Sequence, residues 1–490
     1  MPGAASVYAD RVARSLRIAE FTDNYGPGRS GILYAVQQIE GALLAAGHEV
    51  IVVAPRSSGP NPYAQDPRRT EVRLPSVRVP GVPARVASGA YAEPLVAKVG
   101  DLRPDVIHVH GLGLVGLMGV ALARRTGIPL VVTWHTDWDA YAEHYALLTP
   151  VLAAAYHAWR VRAGSGALDQ SRARASARAF RQAGRQRMAA DLLGACTAML
   201  TAATVVTTPS PKTAKRVLAA APEIDVRIIP NGVDPLPLTG PQVPRSPGVR
   251  FTYVGRIAPE KGIGLLLDAY RIVRKTVPGT ELMIVGDWKK VPTLRARLLR
   301  AKRHPEIRLV GEVDRSNLGP YYAASDVFVF PSLTDTQALV LHEAAHAGLP
   351  LIVCDRELGL VLHDKVNGEF CDPTPDALAG AMLRLMDRVR DPVARARASQ
   401  VSRELAARYT KAGQDQAILD LYAEVADEGL HAPAAGPRVP GRLAQAWSRV
   451  SAIARYDAAA HRFTPERPQV LSRTLIRALG NAYRSSRRRS

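Results

Sequence analysis

Cysteine is scarce in this sequence. Cys196, Cys354 and Cys371 lie far apart among 490 residues, and no C-x-x-C pair is present. A disulfide framework or a zinc finger is therefore not expected, and a reducing compartment fits better. Long apolar runs are missing too. The longest, residues 111–123, falls short of the roughly 20 residues that a bilayer-spanning helix needs. Residues 1–14 hold acid and arginine without an apolar stretch, so no signal peptide is expected. Acids are outnumbered: 44 Asp and Glu stand against 64 Lys and Arg, a net charge of +20. That excess implies attraction to polyanions, whether nucleic acid, an anionic membrane or phosphorylated substrates. With 47% hydrophobic and 22% charged residues, wholesale disorder and collagen-like repeats are excluded. The length suggests two or three domains.

The positive charge is concentrated. Residues 431–490 hold twelve arginines, no lysine and two acids, Asp457 and Glu466. A Pro/Gly-rich link at 431–441 opens this tail and reads as a boundary. A second arginine cluster, within 158–190, is rich in Ala and Gln and predicts a helix. A third break, at 235–248, carries five prolines between two well-patterned halves.

Each half alternates short β-branched runs with helical stretches. In the first half, residues 16–21, 50–53, 106–109, 130–133 and 205–208 read as strands; in the second, 249–254, 281–285, 307–310, 327–330 and 351–353 do. Residues 32–46, 264–276 and 339–347 read as helices between them. This order predicts an α/β chain with two parallel sheets, each covered by helices on both faces. The expected domains are 15–238 and 249–428, followed by a basic extension over 431–490. Ligands of such sheets bind beyond the carboxyl ends of the strands, which points to a cleft between the two domains.

Gly26-Pro-Gly28-Arg-Ser-Gly31 spells G-x-G-x-x-G after a strand and before a helix. A dinucleotide fingerprint would look like this, yet two features oppose it. Residues 22–25 separate the strand from the first glycine, longer than the usual tight turn. The second strand ends at Ala54-Pro55-Arg56, where an NAD site wants an acid. Glycines there still bring backbone N–H groups near a ligand, and the helix starting near Gly31 offers its positive dipole end to phosphate.

The second half holds a more specific pattern. In Val254-Gly255-Arg256-Ile-Ala-Pro-Glu-Lys261-Gly262, two cations five residues apart leave one loop after a strand. Asp335-Thr336-Gln337-Ala338-Leu-Val-Leu-His-Glu343 follows the next strand and opens a helix. Glu343 lies about two helical turns beyond Asp335. A carboxylate there suits ribose hydroxyls, and free N–H groups of the first turn suit a diphosphate. Arg256 and Lys261 can neutralise that diphosphate as it leaves. Taken singly, each of these residues also reads as an ordinary cap or surface charge; their grouping at strand ends in one half is what argues for a site.

At this point the sequence resembles family 4 retaining glycosyltransferases of GT-B architecture, over roughly residues 17–425. Thr22-Asp23-Asn24-Tyr25-Gly26-Pro27 with Gly31-Ile32 resembles the family's opening motif. Asp105-Val-Ile-His108-Val-His110-Gly111 and Thr133-Trp-His135-Thr136 resemble its next two strand ends. Pro230-Asn231-Gly232-Val233-Asp234 is similar to its linker strand, Gly255-Arg256 with Lys261-Gly262 to its G-R-x-x-x-x-K-G motif, and Val285-Gly286-Asp287 to its V-G-D turn. Asp335 and Glu343 occupy its E-x7-E positions. The resemblance implies two Rossmann-like doubly wound domains facing across a cleft, to which the composition adds a basic helical C-terminal tail.

It also implies roles. Gly31 would contact the donor's phosphate or sugar, and His135 a donor hydroxyl. Arg256 and Lys261 would stabilise the diphosphate, Asp335 would hold the transferred sugar, and Glu343 the ribose. Gly255, Gly286, Thr336, Gln337 and Ala338 would line the donor site. The donor would be a UDP- or GDP-hexose, with no cofactor and no required metal. No nucleophile is evident, so front-face displacement is expected rather than a covalent intermediate. Fixed donors where charge builds on the leaving diphosphate lower the barrier directly, Arg as a bidentate fork and Lys as a point charge.

Two departures stand out. Asp335 is one methylene shorter than the family's Glu, and Ala338 stands where the family usually has Gly. Asp137-Trp-Asp139 is a D-x-D, but it lies in the first half, away from the donor groups, and reads as a cap or acceptor-side pair rather than a metal site. His108 and His110, two apart on a strand, share a face and are expected as one packed and one strand-end histidine rather than a metal pair.

Thr136-Asp137-Trp-Asp-Ala-Tyr141-Ala-Glu-His144-Tyr145 and Thr334-Asp335-Thr336-Gln337 resemble segments of diacylglycerol glycosyltransferases. Asp137, Tyr141 and His144 are thus acceptor-side candidates. The arginine cluster of the first half is suited to an anionic bilayer. In the tail, Leu443, Trp447, Val450 and Ile453 recur at helical spacing among Arg442 and Arg449, an amphipathic stretch with an interfacial Trp. The expected partners are a nucleotide-sugar donor, an anionic membrane surface and a lipid acceptor, with the protein at the cytoplasmic face. Alternatives are the same chemistry on a soluble acceptor, or a basic binding protein on an inactive scaffold. A nucleic-acid partner is poorly supported, since no binding motif is present and aromatics in the arginine stretches are few.

Overall fold

The computed structural model describes residues 14–25, 31–56, 62–78, 85–87, 93–111, 113–135, 200–222, 224–289 and 291–431. Asp137, Asp139, Tyr141, His144, Gly26, Gly28, Cys196, the arginine segment 158–190 and the extension from 432 onward lie outside the described residues.

The first half runs β1 (Arg17–Phe21), α1 (Gly31–Ala45), β2 (Glu49–Pro55), β3 (Arg69–Leu74), β4 (Ser76–Arg78), β5 (Arg85–Ala87), α2 (Glu93–Asp101), β6 (Val106–Val109), α3 (Leu114–Thr126), β7 (Leu130–Thr133), β8 (Val205–Thr208), α4 (Pro211–Ala220) and β9 (Val226–Ile228). The order across the sheet is β3-β2-β1-β6-β7-β8-β9, and every pairing is parallel. β4 and β5 form a separate antiparallel pair.

The second half runs β10 (Arg250–Val254), α5 (Ile263–Thr276), β11 (Glu281–Val285), α6 (Pro292–Ala301), β12 (Ile307–Gly311), α7 (Gly319–Ala323), β13 (Val327–Phe330), α8 (Leu339–His346), β14 (Leu351–Val353), β15 (Gly368–Phe370), α9 (Pro375–Arg390), α10 (Pro392–Ala406) and α11 (Lys411–His431). Its sheet order is β12-β11-β10-β13-β14-β15, again parallel throughout. This is the doubly wound order of a Rossmann-like sheet, with its switch point between β10 and β13. The first sheet switches in the same way between β1 and β6.

The strands read as apolar runs because both faces are covered. Along β1, Ala19 and Phe21 belong to one core with Ile51, Val53, Ile107 and Val109, while Ile18 joins Val50, Val52 and Val106 in the other. The second sheet has one large core, built on Phe251, Tyr253, Leu282, Ile284, Phe328 and Ile352. No described helix is long and apolar enough to cross a membrane.

Two boundaries differ from the sequence-based domains. Among the described residues, one compact unit holds those up to Ile229 together with 415–431, and the other holds those within Pro230–Gln414. The stretch 230–238, expected in the first domain, belongs to the second. Its polar backbone is tied there: Asn231 N and Nδ2 each donate to Gln337 Oε1 at 2.8 Å, Gly232 N donates to Gln414 Oε1 at 2.6 Å, and Val233 N to Tyr409 O at 2.8 Å. Residues 415–428, expected in the second domain, belong to the first. There Ile418, Leu421, Tyr422 and Val425 of α11 pack on the core of Val36, Ile39 and Leu43.

Candidate active site

In the second unit the ends of β10 and β13 flank the switch point, and the charged motif residues follow both strands. After β10 the chain turns through Gly255 and Arg256 into a short 3₁₀ turn, Pro259–Lys261. Gly262 then starts α5 at φ 69°. A Cβ on Gly262 would lie 2.6 Å from the Pro331 carbonyl, so only glycine lets the two loops meet. The contact brings Lys261 to the β13 loop. Its Nζ donates to Asp335 Oδ1 at 2.7 Å, and Ser332 Oγ donates to Asp335 Oδ2 at 2.5 Å. Arg256 turns the other way. It is exposed and reaches back to Glu260 Oε1 at 2.5 Å.

Gly286, in the turn after β11, packs against the Gly255 carbonyl, which a Cβ there would approach to 2.2 Å. The two glycines named in the donor motifs therefore shape one another's loops. Ala338 precedes α8 in the left-handed region, at φ 60° and ψ 75°. An L side chain is strained there, which accounts for glycine being the usual residue at this position. Thr336 is half-buried in the same loop.

Glu343, one turn into α8, is buried, and each of its oxygens has a donor. Arg315 Nε donates to Oε1 at 2.6 Å and Tyr322 OH to Oε2 at 2.7 Å. Burial together with the adjacent carboxylate holds the Tyr322 phenol well above its ordinary range, so it stays a donor. A carboxylate has about four lone-pair sites, so two remain for hydroxyls of a ligand. Neither Arg315 nor Tyr322 was legible as a site residue; no motif or period connects them to Glu343. Gln337 is drawn inward. Beyond its two bonds from Asn231, its Nε2 donates to Asn231 O at 2.9 Å and lies 3.3 Å from His342 Nε2. Its side chain fastens the 230–234 segment, so a donor contact at this residue would run through its backbone.

His135 and Gly31 belong to the first unit. Gly31 begins α1 and is exposed. Asp23, in the opening motif, accepts from Val115 N at 3.1 Å and Gly116 N at 3.4 Å, capping α3 from a distant loop. Burial pushes its carboxyl up to about 6. His135 lies two residues past β7, and His110 Nδ1 is 3.3 Å from its Nε2. Burial pulls both imidazoles down to about 3, so both are neutral at physiological pH.

His108 is the packed member of its pair. Its Nδ1 is 2.5 Å from Tyr422 OH and its Nε2 2.6 Å from Thr133 Oγ1. Glu20, His108 and His110 offer atoms within 4.8 Å of one another, a set that could in principle surround a divalent cation. Both nitrogens of His108 are already engaged, however, so the set is not a ready-made metal centre.

Both units are parallel Rossmann-like sheets, and the second gathers cations and carboxylates at its switch point, where this class of fold takes its ligands. The profile described as Glycosyltransferase Family 4 matches residues 30–235, and that described as Glycosyl transferases group 1 matches residues 248–388. The chain is 28% identical over 376 residues to the alpha-monoglucosyldiacylglycerol synthase of Acholeplasma laidlawii, covering 72% of this chain and 84% of that protein. It is 30% identical over 384 residues to a GDP-mannose-dependent alpha-mannosyltransferase of Mycobacterium tuberculosis, covering 74% and 87%. Its fold matches the sucrose-phosphate synthase of Thermosynechococcus elongatus with TM-score 0.64 and 21% identity, over 85% of this chain and 100% of that one. The chain belongs to glycosyltransferase family 4, and it is a nucleotide-sugar-dependent hexosyltransferase of GT-B fold.

Proposed function

We propose that this enzyme transfers a hexose from a UDP- or GDP-hexose, with retention of configuration, to a lipid acceptor at an anionic membrane surface. The observation that carries the donor half is the pairing of Lys261 with Asp335 at the switch point, beside a Glu343 whose orientation is held by Arg315 and Tyr322. Glu343 accepts ribose hydroxyls. Lys261 faces the diphosphate, Arg256 reaches it on leaving Glu260, and Asp335 accepts from a sugar hydroxyl once Lys261 turns to phosphate.

In the transfer, the bond from the sugar's anomeric carbon to the diphosphate oxygen breaks, leaving negative charge on the diphosphate. Fixed cations stabilise that charge more in the transition state than in the ground state. The acceptor hydroxyl attacks from the same face, and its proton passes to the departing phosphate. No metal is required in this scheme, because the two cations do the neutralising; full activity in chelator tests that.

The acceptor half rests on sequence. The +20 net charge, the arginine segment 158–190 and the basic extension suit an anionic surface. The relatives named above include an alpha-monoglucosyldiacylglycerol synthase, whose name supports a glycolipid product, and a GDP-mannose-dependent alpha-mannosyltransferase, whose name supports a hexose donor. Localisation at the cytoplasmic face of the membrane follows from the same reading.

The test is transfer from labelled UDP- and GDP-hexoses to vesicles containing diacylglycerol or its monohexosyl derivative, with flotation on anionic and neutral vesicles. A labelled lipid product and flotation on anionic vesicles are expected. Transfer only to water-soluble acceptors, without flotation, overturns the lipid reading and leaves the donor chemistry standing.

A further inference from the structure

Glu20 and His110 face each other inside the first unit, and neither facing group has another hydrogen-bond partner. Glu20 lies on β1, in register with Val52 and His108 on the neighbouring strands. Its side chain is fully buried and both carboxylate oxygens are unpartnered. His110 Nε2, also buried and unpartnered, is 3.9 Å from Glu20 Oε1. On its other side, His110 Nδ1 is 3.3 Å from His135 Nε2, with the rings stacked at 5.5 Å and 27°. Glu20, His110 and His135 thus form a line across the ends of β1, β6 and β7, which are adjacent in the sheet.

A neutral imidazole carries one proton, so the role of one nitrogen dictates the role of the other. Two arrangements satisfy this line. With Glu20 protonated, its O–H donates to His110 Nε2. His110 Nδ1–H then donates to His135 Nε2, and His135 carries its proton on Nδ1. With Glu20 ionised, His110 Nε2–H donates to the carboxylate. His135 Nε2–H then donates to His110 Nδ1, and His135 Nδ1 becomes an acceptor. Both arrangements require the carboxyl to turn about its last, softly restrained torsion, bringing an oxygen from 3.9 Å to hydrogen-bond distance of Nε2.

We propose that Glu20, acting through His110, sets the tautomer of His135 and so decides whether its Nδ1 offers a proton or a lone pair. Glu20 and His110 are positioning residues. Their effect on transfer rests on the reading in which His135 touches the donor sugar; the tautomer switch itself does not. Burial raises the Glu20 carboxyl to about 8, opposed by Arg69, and lowers His110 to about 3. The protonated arrangement therefore prevails at neutral pH and the ionised one above about 8. Among the described residues, the other titratable groups facing Glu20 are His108 on β6, Arg69 on β3, Glu40 on α1 and Tyr422 on α11. His108 is held neutral and committed to Tyr422 and Thr133, and Arg69 is paired with Glu40. None of them offers the line a competing donor.

The experiment is two-bond nitrogen–proton spectroscopy of the full chain with 15N-histidine, from pH 6 to pH 9.5. His135 is assigned by the signals lost in His135→Gln. The wild type is expected to hold the Nδ1–H tautomer at neutral pH and to move to Nε2–H as Glu20 ionises. Glu20→Gln, whose amide N–H donates to His110 at every pH, is expected to keep Nδ1–H throughout. In parallel, the pH profile of kcat/KM for the donor should bend with the tautomer in the wild type and flatten in Glu20→Gln. A His135 tautomer that ignores pH, or that moves equally in Glu20→Gln, overturns the proposal. So does a stoichiometric divalent metal in the purified wild type that is lost in the variant. If Glu20→Gln does not fold, coincidence of the wild-type tautomer change with a 13C-detected Glu20 titration decides instead; separate midpoints overturn the switch. A tautomer that switches while transfer does not respond removes His135 from the donor contact and leaves the switch intact.

Discussion

Lys261 and Asp335, 74 residues apart in sequence, meet at 2.7 Å across the switch point of the second sheet. The ammonium that would neutralise a diphosphate is thereby held in place by the carboxylate that would hold the sugar. A donor entering here must share or displace that pair. Lys261→Ala is expected to lower kcat/KM by roughly 10²–10³-fold, the usual cost of removing one fixed charge-stabilising donor. Asp335→Asn keeps a polar group beside the ammonium but removes the competing charge. It should bind UDP or GDP more tightly by calorimetry while transferring sugar more slowly. Weaker nucleotide binding in Asp335→Asn would contradict this competition.

Glu343 presents a second measurable dependence. Tyr322→Phe deletes one hydrogen bond to its carboxylate, worth about 1.5 kcal/mol or somewhat more for a charged acceptor. A roughly tenfold rise in donor KM with little change in kcat is expected, because the ribose contact acts equally in ground and transition states. Glu343→Ala should lose more. Steady-state kinetics with varied donor distinguishes the two variants.

Ala338 is strained at φ 60°. Ala338→Gly removes a left-handed penalty of about 1 kcal/mol and gives back part of it as unfolded-state entropy. A net gain of about 0.5 kcal/mol is expected in the denaturation midpoint. A loss instead would mean that the buried methyl contributes packing that outweighs its strain.

Gln337 should behave as a structural residue. Gln337→Leu leaves Asn231 N, Nδ2 and O without their partner, at a cost of about 3 kcal/mol. Urea denaturation should show that loss in the transition of the second unit. Unaltered stability with weakened donor binding would assign the side chain to the ligand.

The pH dependence of stability has two limbs. Burial lowers His110, His135 and His342 from 6.5 to about 3, so the unfolded chain binds more protons below 6.5. Their stabilising contribution is complete above 6.5 and is lost as pH falls toward 3. Glu20 acts in the opposite sense. Its carboxyl is raised from 4.5 to about 8, so its contribution is complete below 4.5 and is lost as pH rises through 8. Melting temperatures across pH 5–9 should show both limbs, and Glu20→Gln should abolish the alkaline one.

Much of the architecture was legible in the residue order. Strands expected at 106–109, 130–133, 205–208, 281–285, 327–330 and 351–353 are observed at those bounds. They are short β-branched runs buried on both faces, so local composition suffices to mark them. Edge strands such as Arg69–Leu74 and Gly368–Phe370 were not marked, because charged residues and glycine dilute the apolar signal there. The motif cations and carboxylates were legible as candidates from their spacing after strands.

The sequence by itself determined the class of fold, the run of central strands along the chain and the chemical types that follow them, because hydrophobic period and turn residues act over a few neighbours. Only the tertiary structure decided which charge meets which. Lys261 pairs with Asp335 while Arg256 turns to Glu260, Glu343 is oriented by Arg315 and Tyr322, and Glu20 stands against His110. It also decided that 230–234 belongs to the second unit and that α11 closes the core of the first. These partnerships join residues far apart in the chain. They depend on how buried polar groups find donors and acceptors once the sheets are packed, and no local period encodes that choice.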